Sequence, residues 1–207
     1  MDFDIITESA KKAFDNFVQN IVAYIVGFII GFIGICLVIT AGPAMYGLYY
    51  MAIKGARGEK VEIKDVFYGL SSVNAFIRSW IGFIGYMLVP IIVWIIYGII
   101  AAIVVMVSPA LAIIVSLLGL LAMAITLLLL VFLYYVLYIY IMTPSENIIY
   151  AIKESISIGK SNFIMVLLTF VISYVMSILW ITTPLGTVFG AYVLKELKPD
   201  IKDGSGI

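Results

Sequence analysis

The sequence predicts an all-α fold, a polytopic transmembrane helix bundle of about six membrane-embedded helices, two of them short, with both termini cytoplasmic. Three observations predict it. Hydrophobic residues make up 64% of the 207-residue chain and charged residues 12%, with a mean hydropathy of +1.20, far outside the range of water-soluble domains. The 12 basic and 12 acidic residues avoid three long stretches, 16–53, 79–145 and 161–194. Each stretch exceeds the roughly 20 apolar residues that one helix needs to cross a hydrocarbon core of about 30 Å, and the middle one is long enough to cross twice.

The first element is an amphipathic interfacial helix near 4–15, with Ile6, Ala10, Ala13, Phe14 and Phe17 on one face. It carries Asp2, Asp4, Glu8 and Asp15 rather than a basic leader, so the apolar run behind it reads as a retained crossing near 17–39. Ala23, Gly27 and Gly31 recur every fourth residue in that crossing, the small-xxx-small pattern that lets helix backbones approach closely in lipid. Cys36, the only cysteine, is expected to be a packing residue, since one thiol forms neither an internal disulfide nor a metal site.

Proline after a small or hydroxylated residue suits a helix start, and Gly42-Pro43, Ser108-Pro109, Thr143-Pro144 and Thr183-Pro184 supply four such boundaries. The first opens a short helix, 43–54, about 18 Å long and so able to cover only part of a bilayer. A basic connector near 55–65 reads as a solvated loop, with attraction to anionic lipid headgroups as the second reading because Glu59, Glu62 and Asp65 dilute its charge. A crossing near 79–106 follows, kinked at Pro90, with Trp94 filling a packing gap near the kink. The apolar region 109–142 would measure about 51 Å as one helix, so it tilts, projects or breaks, with Gly119 the expected break point. Tyr134, Tyr135, Tyr138 and Tyr140 near its end read as an aromatic belt at the headgroup level.

Thr143-x-x-Glu146 matches a capping box and predicts an interfacial helix over 144–160, with Ile149, Ile152 and Ile156 on its apolar face. A crossing at 162–182 and a short helix at 184–197 complete a single membrane domain, 1–198, before a polar tail, 199–207. Gly186-x-x-x-Gly190 and Ser173-x-x-x-Ser177 repeat the close-packing pattern. Lys and Arg concentrate near 11–12, 54–78, 153–160 and 195–202, and all four groups face the cytoplasm if each apolar stretch is a hairpin returning to its starting side. The expected location is therefore the cell membrane, multi-pass.

The ends of the chain are alike. Glu8-Ser9 and, six residues on, Asn16-Phe17 recur as Glu154-Ser155 and Asn162-Phe163, each followed by an apolar crossing, a threonine with a nearby proline (Thr40 and Pro43, Thr183 and Pro184) and a short glycine-containing helix. The expectation is a pair of parallel repeat units, 4–54 and 150–197.

Absences limit the chemistry. The chain has no histidine and no Asp, Glu, Lys or Arg inside the three apolar stretches, so neither a proton relay nor an acid–base or metal site is expected there. No catalytic residue, cofactor or metal ligand is expected, the chain is read as no enzyme, and no nucleic-acid motif appears. Asn20, Thr40, Ser173 and Thr187 are the candidates for a polar pathway, against the commoner use of such hydroxyls to bond backbone carbonyls one turn back. Gly27, Gly31, Gly186 and Gly190 are the candidate helix-packing residues. The two short helices resemble half-helices whose N-terminal amides could face an anion.

The segments GPAMYGLYYMAIKGARGEKVEIKDVF, AIKESISIGKSNF and TPLGTVFGAYVLKEL resemble a broad group of archaeal and bacterial integral membrane proteins of unknown function. That group is related to the membrane domain attached to some glycerophosphodiester phosphodiesterases. The resemblance runs from about residue 5 to 197, with Leu194 in place of the tyrosine common there, and implies a helical membrane fold without an activity. This sequence contains no soluble phosphodiesterase domain, so hydrolysis is not carried over. The function expected is a non-enzymatic module that associates with itself or binds protein or lipid partners. The alternative is an uncoupled channel or small-solute transporter.

Overall fold

The computed structural model describes residues 3–108, 111–178, 182–199 and 201. Pro109 and most of the polar tail lie outside the described residues. Among those described the fold is all-α and has no strand. Its α-helices are α1 (Phe3–Gln19), α2 (Ile21–Cys36), α3 (Ala41–Ala56), α4 (Val73–Val107), α5 (Ala112–Phe132), α6 (Val136–Met142), α7 (Ile148–Ser161), α8 (Phe163–Ser177) and α9 (Thr183–Leu197). Two 3-10 segments, Val38–Thr40 and Ile63–Leu70, link them.

Polarity is layered from inside to outside. Helices α3, α6 and α9 are largely buried, whereas α2, α4, α5 and α8 present rows of exposed aliphatic side chains such as Ile29, Ile95, Leu117 and Val175. Two helical stretches, Val73–Val107 and Ala112–Met142, are long and apolar enough to cross a membrane by themselves. Two more qualify if each bent pair counts as one span: α1 meets α2 at 86°, and α7 meets α8 at 107°. Helices α3 and α9, with 16 and 15 residues, span about 24 and 22 Å, less than a hydrocarbon core of about 30 Å.

Several expected boundaries move. Region 109–142 breaks at Leu133–Tyr135, not at Gly119. At the break the Tyr134 and Val136 amides bond three residues back, to Val131 and Leu133, and the Phe132 carbonyl accepts the Ser155 hydroxyl from α7 at 2.7 Å. Gly119 instead lets Tyr97 of α4 close in on α5. The helix expected from Pro144 begins at Ile148, with Asn147 accepting from the Tyr150 amide as its cap. Thr143 does not cap, because its hydroxyl turns back to the Ile139 carbonyl.

Arg78, near the start of α4, organises that linker rather than joining the basic connector. Its guanidinium donates to the carbonyls of Tyr140, Thr143 and Glu146 and lies 4.1 Å from the centre of the Tyr140 ring.

The connector is also more structured than expected. At the end of α3, Gly58 takes φ +80°, and the amides of Gly58 and Glu59 bond back to Gly55 and Lys54, a Schellman closure that needs a residue tolerant of that φ. The chain then returns along α3 through Ile63–Leu70. A Cβ on Gly47 would sit 1.8 Å from the Val66 carbonyl oxygen, so this backbone contact requires glycine. Asp65 turns inward and pairs with Lys54 at 2.9 Å, with the two side chains 7% and 17% exposed.

Other side chains are placed differently from expectation. Tyr134, Tyr135, Tyr138 and Tyr140 are buried in the protein rather than forming a belt. Trp94 is 46% exposed and fills no internal gap. Cys36 is exposed. Of the apolar faces expected on the interfacial helices, Phe14 and Ile149 are exposed, while Ala13 and Phe17 pack inward.

Candidate functional site

The short helices α3 and α9 lie side by side at the centre of the fold. Their C-terminal ends are tied where Tyr192 Oη and Lys195 Nζ of α9 donate to the Gly55 and Ala56 carbonyls of α3, each at 3.3 Å. These cationic and phenolic donors satisfy carbonyls that a helix end leaves without an intrahelical partner. Asn16 of α1 closes the same end: its Nδ2 donates to the Gly55 carbonyl at 3.1 Å, and its Oδ1 accepts from Tyr24 at 2.8 Å. Charged pairs gather there as well. Lys12 bonds Glu196 at 3.0 Å, and Lys198 pairs with Glu154. The Glu196 hydrogen bond, then the charges of Glu196 and Glu8, hold the Lys12 ammonium above its ordinary range.

The glycines expected to pack helices do so inside this chain. Gly27 and Gly31 of α2 face Met51 and Leu48 of α3, where a Cβ would come within 2.6 and 2.9 Å. Gly186 lies against the Ser173 carbonyl of α8, and Gly190 against the Tyr134 and Tyr138 hydroxyls. Those tyrosines carry a short polar chain through the interior. Tyr134 donates to Ser173 Oγ at 2.7 Å, Ser173 donates to the Gly186 carbonyl at 3.1 Å, and Tyr138 donates to the Thr187 carbonyl at 2.9 Å. The Tyr135 hydroxyl is buried and makes no hydrogen bond.

Of the four polar-pathway candidates, the structure brings together only Ser173 and Thr187, across α8 and α9. Thr187 spends its hydroxyl on the Pro184 carbonyl. Thr40, near the far end of α2, donates to the Gly34 and Leu37 carbonyls. Asn20 sits at the α1–α2 bend, donating to Asn16 and accepting from the Val61 amide. A cavity of about 220 Å³ opens between α2, α3 and α9, lined by Phe28, Met45, Leu48, Tyr49, Pro184 and Thr187 among others. Its walls are mostly aliphatic and aromatic. The N-terminal turn of α3 is covered, since Gly42 packs on Ser79 and Trp80 of α4.

Among the described residues no group of three His, Cys, Asp or Glu side chains is placed to hold a metal. Sequence reasoning did not single out Arg78, Asp65 or Tyr24 as organising residues. Asn16 was visible only as part of the repeated Asn-Phe pair, which would have been the signal to follow. No protein-family model, curated protein or solved structure matches the chain.

Proposed function

We propose that this chain is a non-catalytic integral membrane module that associates with itself and with lipid, with six embedded helices and its charged end in the cytoplasm. One observation carries the reading: the polar groups are inside and the aliphatic ones outside. The Lys54–Asp65 pair, the Asn16–Tyr24 bond and the Tyr134–Ser173 bond are buried between elements, while α2, α4, α5 and α8 expose aliphatic side chains. An aliphatic surface of that extent needs lipid or a partner helix to cover it. The short helices α3 and α9 are then embedded without having to span alone, because their neighbours surround them. The likeness to archaeal and bacterial membrane proteins of unknown function fits the same reading.

Self-association draws on α4. Every helical glycine among the described residues has a neighbour within 4 Å where a Cβ would stand, except Gly98, which faces open space. Ala102 lies four residues on and is exposed, so the pair offers a small-xxx-small face that none of the described residues fills. Crosslinking in liposomes at low protein density is expected to trap dimers of the unaltered chain and to lose them for Gly98→Leu. A monomer under those conditions would remove the self-association, and release from membranes by alkaline carbonate would remove the membrane reading altogether.

The second reading, an uncoupled channel or small-solute carrier, draws on the cavity beside Thr187. Its test is flux: liposomes holding the protein should pass small solutes down a gradient faster than empty ones.

A further inference from the structure

We propose that the groove at the α1–α2 bend binds the headgroup of an anionic phospholipid, an inference that rests on the chain being membrane-embedded. The groove is shallow and open, with a volume of about 520 Å³. One wall is the bend itself, from Gln19 to Ala23, and the other is the connector segment Lys60–Lys64. The Val61 amide, donating to Asn20 Oδ1 at 3.4 Å, holds the two walls together.

Charge on this groove differs from what the connector's composition suggests. Asp65 is buried against Lys54 and is removed from the surface, and Glu59 does not line the groove. Glu62 is engaged by Lys64 at 2.6 Å. Lys60 is exposed and makes no ion pair or hydrogen bond among the described residues, acting on Glu62 only as a nearby charge, so two lysines and one glutamate leave the lining with one net positive charge. In the same lining Ile21, Val22 and Ile63 are exposed aliphatic side chains, 41%, 65% and 37% accessible. The lining thus combines ammonium with hydrocarbon, the two chemistries of a lipid whose phosphodiester adjoins its acyl chains. It does so where an amphipathic helix meets an apolar one at 86°, the geometry of a chain passing from the headgroup layer into the bilayer. Lys60 pairs with the phosphodiester, and the aliphatic side chains receive the first methylenes.

The test is native mass spectrometry of the full chain in detergent, titrated with phosphatidylglycerol or with phosphatidylcholine of the same acyl chains. The unaltered chain and Lys60→Arg are expected to retain phosphatidylglycerol in preference to phosphatidylcholine. Lys60→Gln is expected to retain about fivefold less, the worth of one lysine near an anionic surface. The control pair Lys153→Gln/Lys160→Gln, on α7, should bind as the unaltered chain does. Equal retention by Lys60→Gln, equal loss in the control pair, or equal binding of the two lipids would overturn the proposal. Because Lys60 is exposed and makes no ion pair or hydrogen bond among the described residues, its removal leaves the chain folded. A Lys60→Gln protein that resists carbonate extraction but binds phosphatidylglycerol normally would sink this inference alone, whereas an unaltered chain that carbonate releases would sink the membrane reading beneath it.

Discussion

At Gly47 a single missing Cβ decides whether the connector can lie along α3. The Val66 carbonyl occupies the space where the Cβ would be, at 1.8 Å, and both partners are backbone, so neither can rotate away. Gly47→Ala is expected to lower stability by about 3 kcal/mol, read as a fall in the detergent melting temperature. Gly98→Ala, facing open space, should not lower it. Equal melting of the Gly47 variant and the unaltered chain would show that the contact is dispensable. Lys54 and Asp65 make a comparable point in charge. Removing one partner of a mostly buried pair leaves the other without compensation, at about 3 kcal/mol, and Asp65 also accepts the Glu62 amide at 2.8 Å. Asp65→Ala should therefore destabilise strongly, and Lys54→Met/Asp65→Ala should recover part of the loss. A purely additive double-mutant cycle would rule out the coupling. Neither residue could be singled out from sequence. Asp65 looked like one more surface acid in a mixed loop, and nothing local records that the loop folds back onto α3. The close-packing role of Gly27 and Gly31, by contrast, was legible, because their four-residue spacing is a property of one helix.

Elements read better than their ends. The amphipathic pattern of α1, the apolar runs of α2, α4, α5 and α8 and the shortness of α3 and α9 follow from periodicity and charge spacing, which are local. The start of α7 does not. Thr143-x-x-Glu146 has capping-box spacing, yet the linker is set by Arg78, more than sixty residues earlier, whose guanidinium gathers the carbonyls of Tyr140, Thr143 and Glu146. A fork of planar donors can meet several carbonyls at once, and an ammonium cannot match that arrangement. Arg78→Lys should consequently loosen the linker while leaving α4 intact. With one charge-assisted bond worth about 1.5 kcal/mol lost, a glutamate-specific protease should cut after Glu146 roughly tenfold faster. An unchanged cutting rate would mean that the α6–α7 packing holds the linker without the guanidinium. The break between α5 and α6 has a similar origin: the Phe132 carbonyl is taken by Ser155 of α7, a bond that no reading of 109–142 by itself could supply.

For the molecule as a whole, the two ends share an order of elements: amphipathic helix, sharp bend, apolar helix, short buried helix. They do not share surroundings. α1 packs on α9 of the other end, whereas α7 packs on α6, which lies between it and α3. The asymmetry follows from chain order, since the segment α4–α6 must be accommodated between the two ends and its last helix fills the space beside α3. Charge nevertheless links both ends, through Lys12 to Glu196 and Lys198 to Glu154. Those pairs require α1, α7 and the close of α9 to lie on one side of any membrane the chain crosses. That requirement gives a topology prediction independent of the number of helices. In a Cys36→Ser background, Glu8→Ala would disturb a pair, so the probes belong at Lys11→Cys and Lys153→Cys, both exposed. A membrane-impermeant maleimide should label both from the same face of sealed vesicles and neither from the other. Ser108→Cys, at the end of α4, should label from the opposite face if the α4–α5 hairpin crosses. Labelling of Lys11→Cys and Lys153→Cys from different faces would contradict the ion pairs themselves, and with them the fold. Same-face labelling of Ser108→Cys would leave the fold intact and lay the hairpin along the membrane instead of through it.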